Sequence, residues 1–279
     1  MLGFGPSPLQ LLIANVATVA AAGGEVPDEY TRIAERWKAF QGFDSATLTG
    51  QLADSIIGTG GLDDLPKLRA LALAGRGGAQ ESAELRSDLE GPVFLALRDA
   101  YEPVADSNYR ALASAFNGTA TALTKAAKVV DPDTPAGEMV TATDKARKAW
   151  TDAALFAMQL DEQIPALATA AELAELSTLT EDRRLPLLCD PGSLHRRRVW
   201  EAWDHTEGRA GRWAALIRLG IPIRALDDLG EYEPYRRPAP IEKRLVSVGR
   251  GMTREIEVDP EDAEHELSVA AVMAPINAE

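Results

Sequence analysis

A stripe of small and apolar residues repeats at heptad spacing through the middle of the chain. Its steps alternate between four and three residues without interruption, as on one face of a long α-helix. The stripe comprises Met139, Thr143, Ala146, Trp150, Ala153, Ala157, Leu160, Ile164, Leu167, Ala171 and Ala174. A second stripe upstream comprises Tyr109, Leu112, Phe116, Thr119, Leu123, Ala126 and Val130. The two stripes predict two long helices that pack against each other.

The segment between the stripes cannot continue either helix. It reads Asp131-Pro132-Asp133-Thr134-Pro135, and its prolines exclude an uninterrupted helix. We therefore expect an antiparallel αα-hairpin over about residues 105–164 that turns at Asp133. Such a turn places Phe116 opposite Trp150. The side chains expected to form the packing surface of the hairpin are Phe116, Leu123, Trp150 and Leu160.

Two further prolines bear on the lengths of these helices. Pro103 is predicted to separate the first stripe from an upstream helix over 81–101. Pro165 is expected to kink the second helix, or to begin a helix that abuts it, without a change of buried face, because the heptad phase continues past it. Many stripe positions are alanines, which bury little apolar area at about 25 cal/mol per Å². The hairpin therefore needs further helices, or a second subunit, packed against it.

The N-terminal 24 residues contain no charged side chain. Within them, Leu9–Ala22 is a mainly apolar run that is too short to span a bilayer. No Lys or Arg precedes the run, as a secretory signal would require. We expect a buried helix ended by Gly23 and Gly24, or an arm that docks on another subunit. A cleaved signal peptide stays open as an alternative.

Near the C-terminus, the spacing of apolar residues changes from a helical period to the alternation that is typical of a β-strand. Residues 244–248 and 252–258 alternate between apolar and polar side chains, and Gly249-Arg250-Gly251 joins them. This pattern predicts a small β-hairpin over about residues 244–258. Because the remainder reads as helix, the predicted fold class is mainly α: a helical bundle built around the long αα-hairpin.

Charge divides the chain into three segments. The net charge is −12 over residues 1–182, +6 over 183–254 and −8 over 255–279, which gives −14 for the whole chain. We predict an acidic helical bundle with an uncharged N-terminal arm over 1–182. A basic helical segment and extended connector follow over 183–240, and a β-hairpin with an acidic tail over 241–279.

The basic segment interleaves arginines with tryptophans. Its candidate contacts with a partner or with nucleic acid are Arg196, Arg197, Arg198, Arg209, Arg212, Trp200 and Trp203. In one interpretation these side chains bind nucleic acid or an acidic protein surface. In the other, the arginines pair with acidic residues of the same chain or of a neighbouring subunit. The second is favoured, because the neutralisation of phosphates supplies most of the affinity for nucleic acid and this chain is acidic overall.

The sequence contains no recognisable catalytic motif. It lacks Gly-x-Ser-x-Gly, His-Glu-x-x-His, Cys-x-x-Cys and a dinucleotide fingerprint. The single cysteine, Cys189, ends an apolar run and is interpreted as a buried small side chain. Glu201 and His205 are one helical turn apart and could share a metal ion, but a surface ion pair is favoured. We therefore predict no catalytic residue, no bound metal and no cofactor.

These features together favour a non-enzymatic structural or assembly protein. Such a protein would be a phage virion head or connector component, a scaffold or an adaptor, located in the cytoplasm or the virion. It would pack against copies of itself or a protein partner, without a membrane. The alternative is a helical enzyme or ligand-binding protein with a site near Trp200 and His205. A third possibility is a secreted helical effector exported through Leu9–Ala22.

Overall fold

A computed structural model describes residues 5–41, 79–175, 181–227, 234–247 and 253–260, together with Ile57 and Leu229. This part of the chain forms eight α-helices and one two-stranded sheet, so the predicted mainly α class is confirmed. The elements in chain order are α1 (Pro8–Ala21), α2 (Asp28–Gln41), α3 (Ala79–Ala127), α4 (Ala136–Met139), α5 (Asp144–Glu175), α6 (Glu181–Leu188), α7 (Arg196–Asp204), α8 (Gly211–Arg218), β1 (Glu242–Ser247) and β2 (Thr253–Val258).

The chain divides into two compact units. Unit 1 comprises Met1–Leu112 and Pro165–Ser177, and unit 2 comprises Ala113–Ile164 and Thr178–Glu279. The boundaries fall inside α3 and α5, so each of these helices contributes residues to both units. The three segments predicted from the sequence are defined by net charge, whereas these units are defined by compactness. The three-segment division therefore stays a prediction.

In unit 1, α1 forms the buried helix that the apolar N-terminal run predicts. Ser7 caps it: the Ser7 Oγ accepts a hydrogen bond from the Gln10 N–H at 3.3 Å, and the Gln10 Oε1 accepts one from the Ser7 N–H at 3.1 Å. The chain leaves α1 through Gly23, whose φ of +96° favours glycine. The residues that α1 buries are Leu9, Leu12, Val16 and Val19.

A buried polar side chain, Asn108 on α3, fixes the connection between α1 and α2. Its Oδ1 accepts from the Glu25 N–H at 2.7 Å, and its Nδ2 donates to the Glu25 carbonyl and the Tyr101 hydroxyl, both at 2.9 Å. The Tyr101 ring packs edge-on against Tyr30 with their centroids 5.9 Å apart. Burial, and to a smaller extent the neighbouring Tyr101, raise the pKa of Tyr30 to about 12. Both phenols are therefore neutral groups of the core.

Pro103 does not separate two helices, and the prediction that it does is wrong. Helix α3 continues through both Pro92 and Pro103. A proline removes the hydrogen bond to the carbonyl four residues earlier, which for Pro103 belongs to Asp99. Pro103 and Asp99 are both exposed, so water can satisfy that carbonyl. The helix is held on its opposite face by a buried row that comprises Leu97, Tyr101, Ala105 and Tyr109.

Helices α3 and α5 form the predicted hairpin, but in a different register. In unit 2, the Gln163 Nε2 donates to the Thr119 Oγ1 at 3.3 Å, which places the centre of the hairpin near residue 141 and not at Asp133. The register differs because the connection contains α4, so α5 begins only at Asp144. The buried residues of the two stripes in this unit are Phe116, Leu123, Ala126, Met139, Ala153, Ala157 and Leu160.

The predicted contact between Phe116 and Trp150 is therefore wrong. The Phe116 ring packs edge-on against Trp213 of α8, with centroids 6.0 Å apart. The indole N–H of Trp150 donates to the Thr134 carbonyl at 2.9 Å, within the turn of the hairpin. The heptad stripe itself continues past Pro165, which lies inside α5, as the unchanged phase predicts.

The predicted β-hairpin is confirmed and begins two residues earlier than expected. Strand β1 pairs antiparallel with β2, with Glu242 opposite Val258 and Ser247 opposite Thr253. Lys243 and Glu255 form an ion pair at 3.0 Å across the strands. Among the described helices, none combines the length and the apolar character that crossing a membrane requires.

Candidate functional site

A cleft of about 500 Å³ lies in unit 2 between α5 and the loop that joins α7 to α8. One wall is the apolar side of α5 with two carboxylates beyond it, and the other is the loop with its arginines. The lining side chains include Met158, Asp161, Glu162, His205, Arg209 and Arg212. The cleft thus combines an apolar surface with charges of both signs.

Asp133, in the turn of the αα-hairpin, fixes the loop wall of the cleft. Its Oδ1 accepts from the backbone N–H of Arg209 at 2.7 Å and of Ala210 at 3.1 Å. Its Oδ2 accepts from Arg218 at 2.6 Å. Gly208 lies immediately before Arg209 and has a φ of +85°. A Cβ at this position would lie 2.5 Å from the Asp133 Oδ1. The loop conformation therefore requires glycine there.

Arg218 also binds the other aspartate of the same turn. Its Nε and Nη2 donate to the two carboxylate oxygens of Asp131 at 3.0 and 2.7 Å. These hydrogen bonds lower the pKa of Asp131 below its ordinary value. The Asp131-Pro132-Asp133 turn thus anchors both α8 and the loop that precedes it.

The two arginines of the cleft are positioned by tryptophans. The Arg209 guanidinium lies 3.2 Å from the centroid of the Trp150 ring, and its Nη1 donates to the Trp150 carbonyl at 3.0 Å. The Arg212 guanidinium lies 4.8 Å from the Trp203 ring. These contacts with the indole rings restrict the orientation of both guanidinium groups.

Asp161 is the carboxylate of the cleft with the most protein contacts. Its Oδ1 accepts from the indole N–H of Trp213 at 3.1 Å, and Arg212 lies 3.8 Å away. Desolvation raises the pKa of Asp161, an effect that Arg212 and the Trp213 hydrogen bond oppose. The group favours contact with a hydrogen-bond donor or a cation.

Comparison with protein families, with curated proteins and with solved structures gives no match for this chain. Cys189, the sole cysteine, is buried directly after α6, and burial raises the pKa of its thiol to about 12. This thiol is a small core side chain, as the sequence indicates, and is not activated as a nucleophile.

The candidate metal pair does not converge on one point. Glu201 is exposed on α7, whereas His205 follows the end of α7 and lines the cleft. The His205 backbone N–H donates to the Ala202 carbonyl at 3.3 Å and so closes the last turn of the helix. Within the described residues, no three His, Cys, Asp or Glu side chains are grouped in a way that could hold a metal ion.

The two candidate tryptophans of α7 lie in the core of unit 2. Trp200 and Trp203 are 2% and 5% exposed. The Trp200 indole N–H donates to the Arg236 carbonyl at 3.0 Å, and the Arg237 guanidinium lies 4.2 Å above the ring. Trp203 packs edge-on against Trp213 with centroids 6.0 Å apart. Their burial leaves little ring surface for stacking on a nucleic acid base.

Three consecutive arginines, residues 196–198, occupy the first turn of α7. Arg197 forms a two-pronged ion pair with Asp259, with one N–O distance of 2.8 Å, and donates to the Ala239 carbonyl at 2.6 Å. These side chains are mostly buried, with 17% of Arg197 and 13% of Asp259 exposed. Arg198 is exposed.

The aspartates that build the cleft cannot be recognised as site residues from the sequence. In the sequence, Asp131 and Asp133 indicate only a helix-breaking turn, and no pattern distinguishes Asp161 from the other carboxylates. Asp133 lies 76 residues before the Arg209 N–H that it binds, and Asp161 lies 52 residues before Trp213. No spacing in the sequence links such distant residues, although a pair of aspartates in a tight turn signals local hydrogen bonding.

Proposed function

We propose that this protein is a non-enzymatic structural or assembly protein that packs against copies of itself. The setting we propose is a virion head or connector component, a scaffold or an adaptor. The observation that carries the proposal is an apolar surface on α5, made by Leu155 and Met158 beside the cleft. Their side chains are 49% and 52% exposed. We call this pair the α5 surface.

The position of the α5 surface supports a packing role. The two side chains are three residues apart and lie on one side of the helix. Met158 also lines the cleft, next to the charged groups Glu162 and Arg209. An apolar centre with a polar rim is the usual composition of a protein interface. Burial of this surface in a partner would contribute about 25 cal/mol per Å².

The pairing of the basic segment supports a protein partner over nucleic acid. Arg197 binds Asp259, Arg218 binds the aspartates of the hairpin turn, and Arg237 binds Asp204 at 2.6 Å. Charges already neutralised within the chain contribute little to phosphate binding, which depends on the release of counterions.

Light scattering over a range of protein concentrations tests the proposal. We expect a mass above the 29.9 kDa of one chain for the wild type, and a return to that mass in the Leu155→Glu/Met158→Glu variant. The matched control is Leu85→Glu/Leu95→Glu, which replaces two apolar side chains of α3 that are 52% and 48% exposed. A wild-type protein that stays monomeric at every concentration would contradict the proposal.

The cleft favours a second candidate function, the binding of a small ligand. Its volume of about 500 Å³ lies in the range of ligand pockets, and it presents His205 beside Asp161 and two arginines. Metal analysis and ligand screening by thermal shift, with His205→Ala and Asp161→Asn as controls, would separate this candidate from the first. A ligand whose stabilising effect is lost in both variants would favour it.

A further inference from the structure

The cleft of unit 2 carries a balanced set of charges. Among the described residues that line it, besides His205, Asp161 and Glu162 are negative and Arg209 and Arg212 are positive. A ligand with one sign of charge would meet repulsive groups as well as attractive ones, and a charge that is desolvated without a partner costs free energy. The charges of the cleft therefore favour a ligand that carries both signs and no net charge.

One carboxylate and one guanidinium of the cleft face each other without a hydrogen bond. The Arg212 Nε lies 3.8 Å from the Asp161 Oδ1, which is beyond hydrogen-bond distance. Arg212 donates no hydrogen bond to any of the described residues, and the Asp161 Oδ2 accepts none from them. The two side chains are 30% and 53% exposed, so a ligand can reach both. Each group therefore retains hydrogen-bonding capacity for a ligand.

Two tryptophans position this pair of charges. The Trp213 indole N–H donates to the Asp161 Oδ1 at 3.1 Å, and the Arg212 guanidinium lies 4.8 Å from the centroid of the Trp203 ring. Trp203 and Trp213 are both buried and pack edge-on against each other. The separation of the carboxylate and the guanidinium is therefore set by packing in the core of unit 2.

We propose that the cleft binds a free α-amino acid with an apolar side chain, whose ammonium contacts Asp161 and whose carboxylate contacts Arg212. The covalent geometry of an α-amino acid places its ammonium nitrogen and its nearer carboxylate oxygen about 3 Å apart. Hydrogen bonds between charged groups span about 2.7–2.9 Å, so the two ligand groups fit side by side against a pair that is 3.8 Å apart. The four charges then alternate in sign around a ring.

Met158 supplies the surface for the side chain of the ligand. It is 52% exposed and precedes Asp161 on α5 by three residues, so the two lie on the same side of the helix. Ala154 and Ala157 extend the apolar wall of the cleft. The flexible thioether of methionine adapts to side chains of different shape. The volume of about 500 Å³ leaves room for a large one.

This inference names a ligand class for the second candidate function, on which it rests, and it does not rest on self-association. Isothermal titration calorimetry of the full-length protein tests it. The probe is L-leucine, compared with isoamylamine, which lacks the carboxylate, and with 4-methylpentanoate, which lacks the ammonium. We expect L-leucine to bind and each analogue to bind about tenfold more weakly or less, because each leaves one charge of the pair without a partner. Glycine should also bind more weakly, because it has no side chain to bury against Met158.

Absence of L-leucine binding, or equal binding of L-leucine and either analogue, would overturn the inference. If L-leucine fails while a compound from the thermal-shift screen still acts through His205 and Asp161, the ligand-binding candidate stands and only the amino acid class is wrong. If no compound acts through these residues, both fail.

Substitutions test the two assigned contacts. In Asp161→Asn the preference for L-leucine over 4-methylpentanoate should disappear, because the ammonium has lost its partner. In Arg212→Gln the preference for L-leucine over isoamylamine should disappear. The matched controls are Arg224→Gln and Asp227→Asn, which alter an exposed ion pair of the same unit at 3.6 Å and should keep both preferences. Preferences that persist in the cleft variants, or that are lost equally in the controls, would contradict the assignment.

Discussion

At Gly208 the backbone has a φ of +85°, and the Asp133 carboxylate fills the space that a side chain would take. We expect Gly208→Ala to lower the free energy of unfolding by about 1–3 kcal/mol, since both the conformation and the contact oppose a Cβ. Gly118 is the matched control. It lies inside α3 with nothing within 4 Å of its added Cβ, so Gly118→Ala should stabilise by about 0.5–1 kcal/mol.

Urea unfolding of the two variants measures both effects. Similar changes for Gly208→Ala and Gly118→Ala would mean that the Asp133 carboxylate does not restrict the loop. The opposite signs expected here separate the loss of a specific conformation from the general effect of replacing glycine.

Asp131 should stabilise the folded chain at neutral pH and lose this effect in acid. Arg218 lowers the pKa of Asp131 from its ordinary value of 3.8, so the ionised form stabilises the folded chain. This contribution is complete above pH 3.8 and is lost as pH falls through the lower folded-state pKa. Asp131→Asn should therefore unfold at lower urea than wild type at neutral pH, with a difference that disappears in acid. A difference that is constant with pH would contradict the ion pair.

Asp161 should have the opposite effect. Desolvation raises the pKa of Asp161, so its ionised form costs stability above the folded-state pKa, and the cost is relieved as pH falls. Asp161→Asn removes the charge and keeps an oxygen that can accept from Trp213. We expect this variant to be as stable as wild type or more stable at neutral pH, with the gain shrinking towards pH 3.8. A marked loss at neutral pH would show that the Arg212 contact outweighs desolvation.

The Cys189 thiol should be unreactive while the chain is folded. With a pKa of about 12, about one thiol in ten thousand is ionised at pH 8, and the thiolate is the reacting form. We expect slow reaction with an aromatic disulfide reagent in buffer and fast reaction in guanidinium chloride. Fast reaction in buffer would mean that the end of α6 opens readily.

Among the elements, helix α3 continues through Pro103, where the sequence predicts that it ends. Pro103 interrupts its hydrogen bonding, and the burial of Leu97, Tyr101 and Ala105 holds the helix together across the interruption. Replacement by alanine restores an N–H donor to the Asp99 carbonyl. We therefore expect Pro103→Ala to raise the free energy of unfolding by about 1–3 kcal/mol in urea titrations.

Pro135 is the control for this prediction. It precedes α4 with a φ of −56° and a ψ of 139°, a conformation that suits proline. Pro135→Ala should lower stability by about 0.4–1 kcal/mol, because the unfolded chain gains freedom. Equal changes at the two positions would contradict an uninterrupted α3.

The elements predicted correctly are those whose signal is local. The heptad stripe predicts that Phe116, Leu123 and Leu160 are buried, because a 3.6-residue period selects one helix face whatever packs on it. The register of the hairpin is not local. It depends on whether residues 136–139 form a further helical turn, and the sequence carries no strong signal for a four-residue helix.

The arrangement of the cleft belongs to the scale of the whole molecule. Composition predicts that the arginines of the basic segment pair with the acidic residues, but it does not say which pairs form. Arg218 meets Asp131 across 87 residues of sequence, and Arg197 meets Asp259 across 62. Such pairs are decided by how the helices pack, and each aspartate in the chain is chemically an equal candidate beforehand.

The uneven placement of the tryptophans has an optical consequence. Of the five in the chain, Trp37 lies in unit 1 and the other four in unit 2. Intrinsic fluorescence therefore reports mainly on unit 2, whereas far-ultraviolet circular dichroism follows the helices of both. The two signals, recorded on the same sample during denaturation, give a label-free way to watch one half of the protein against the whole.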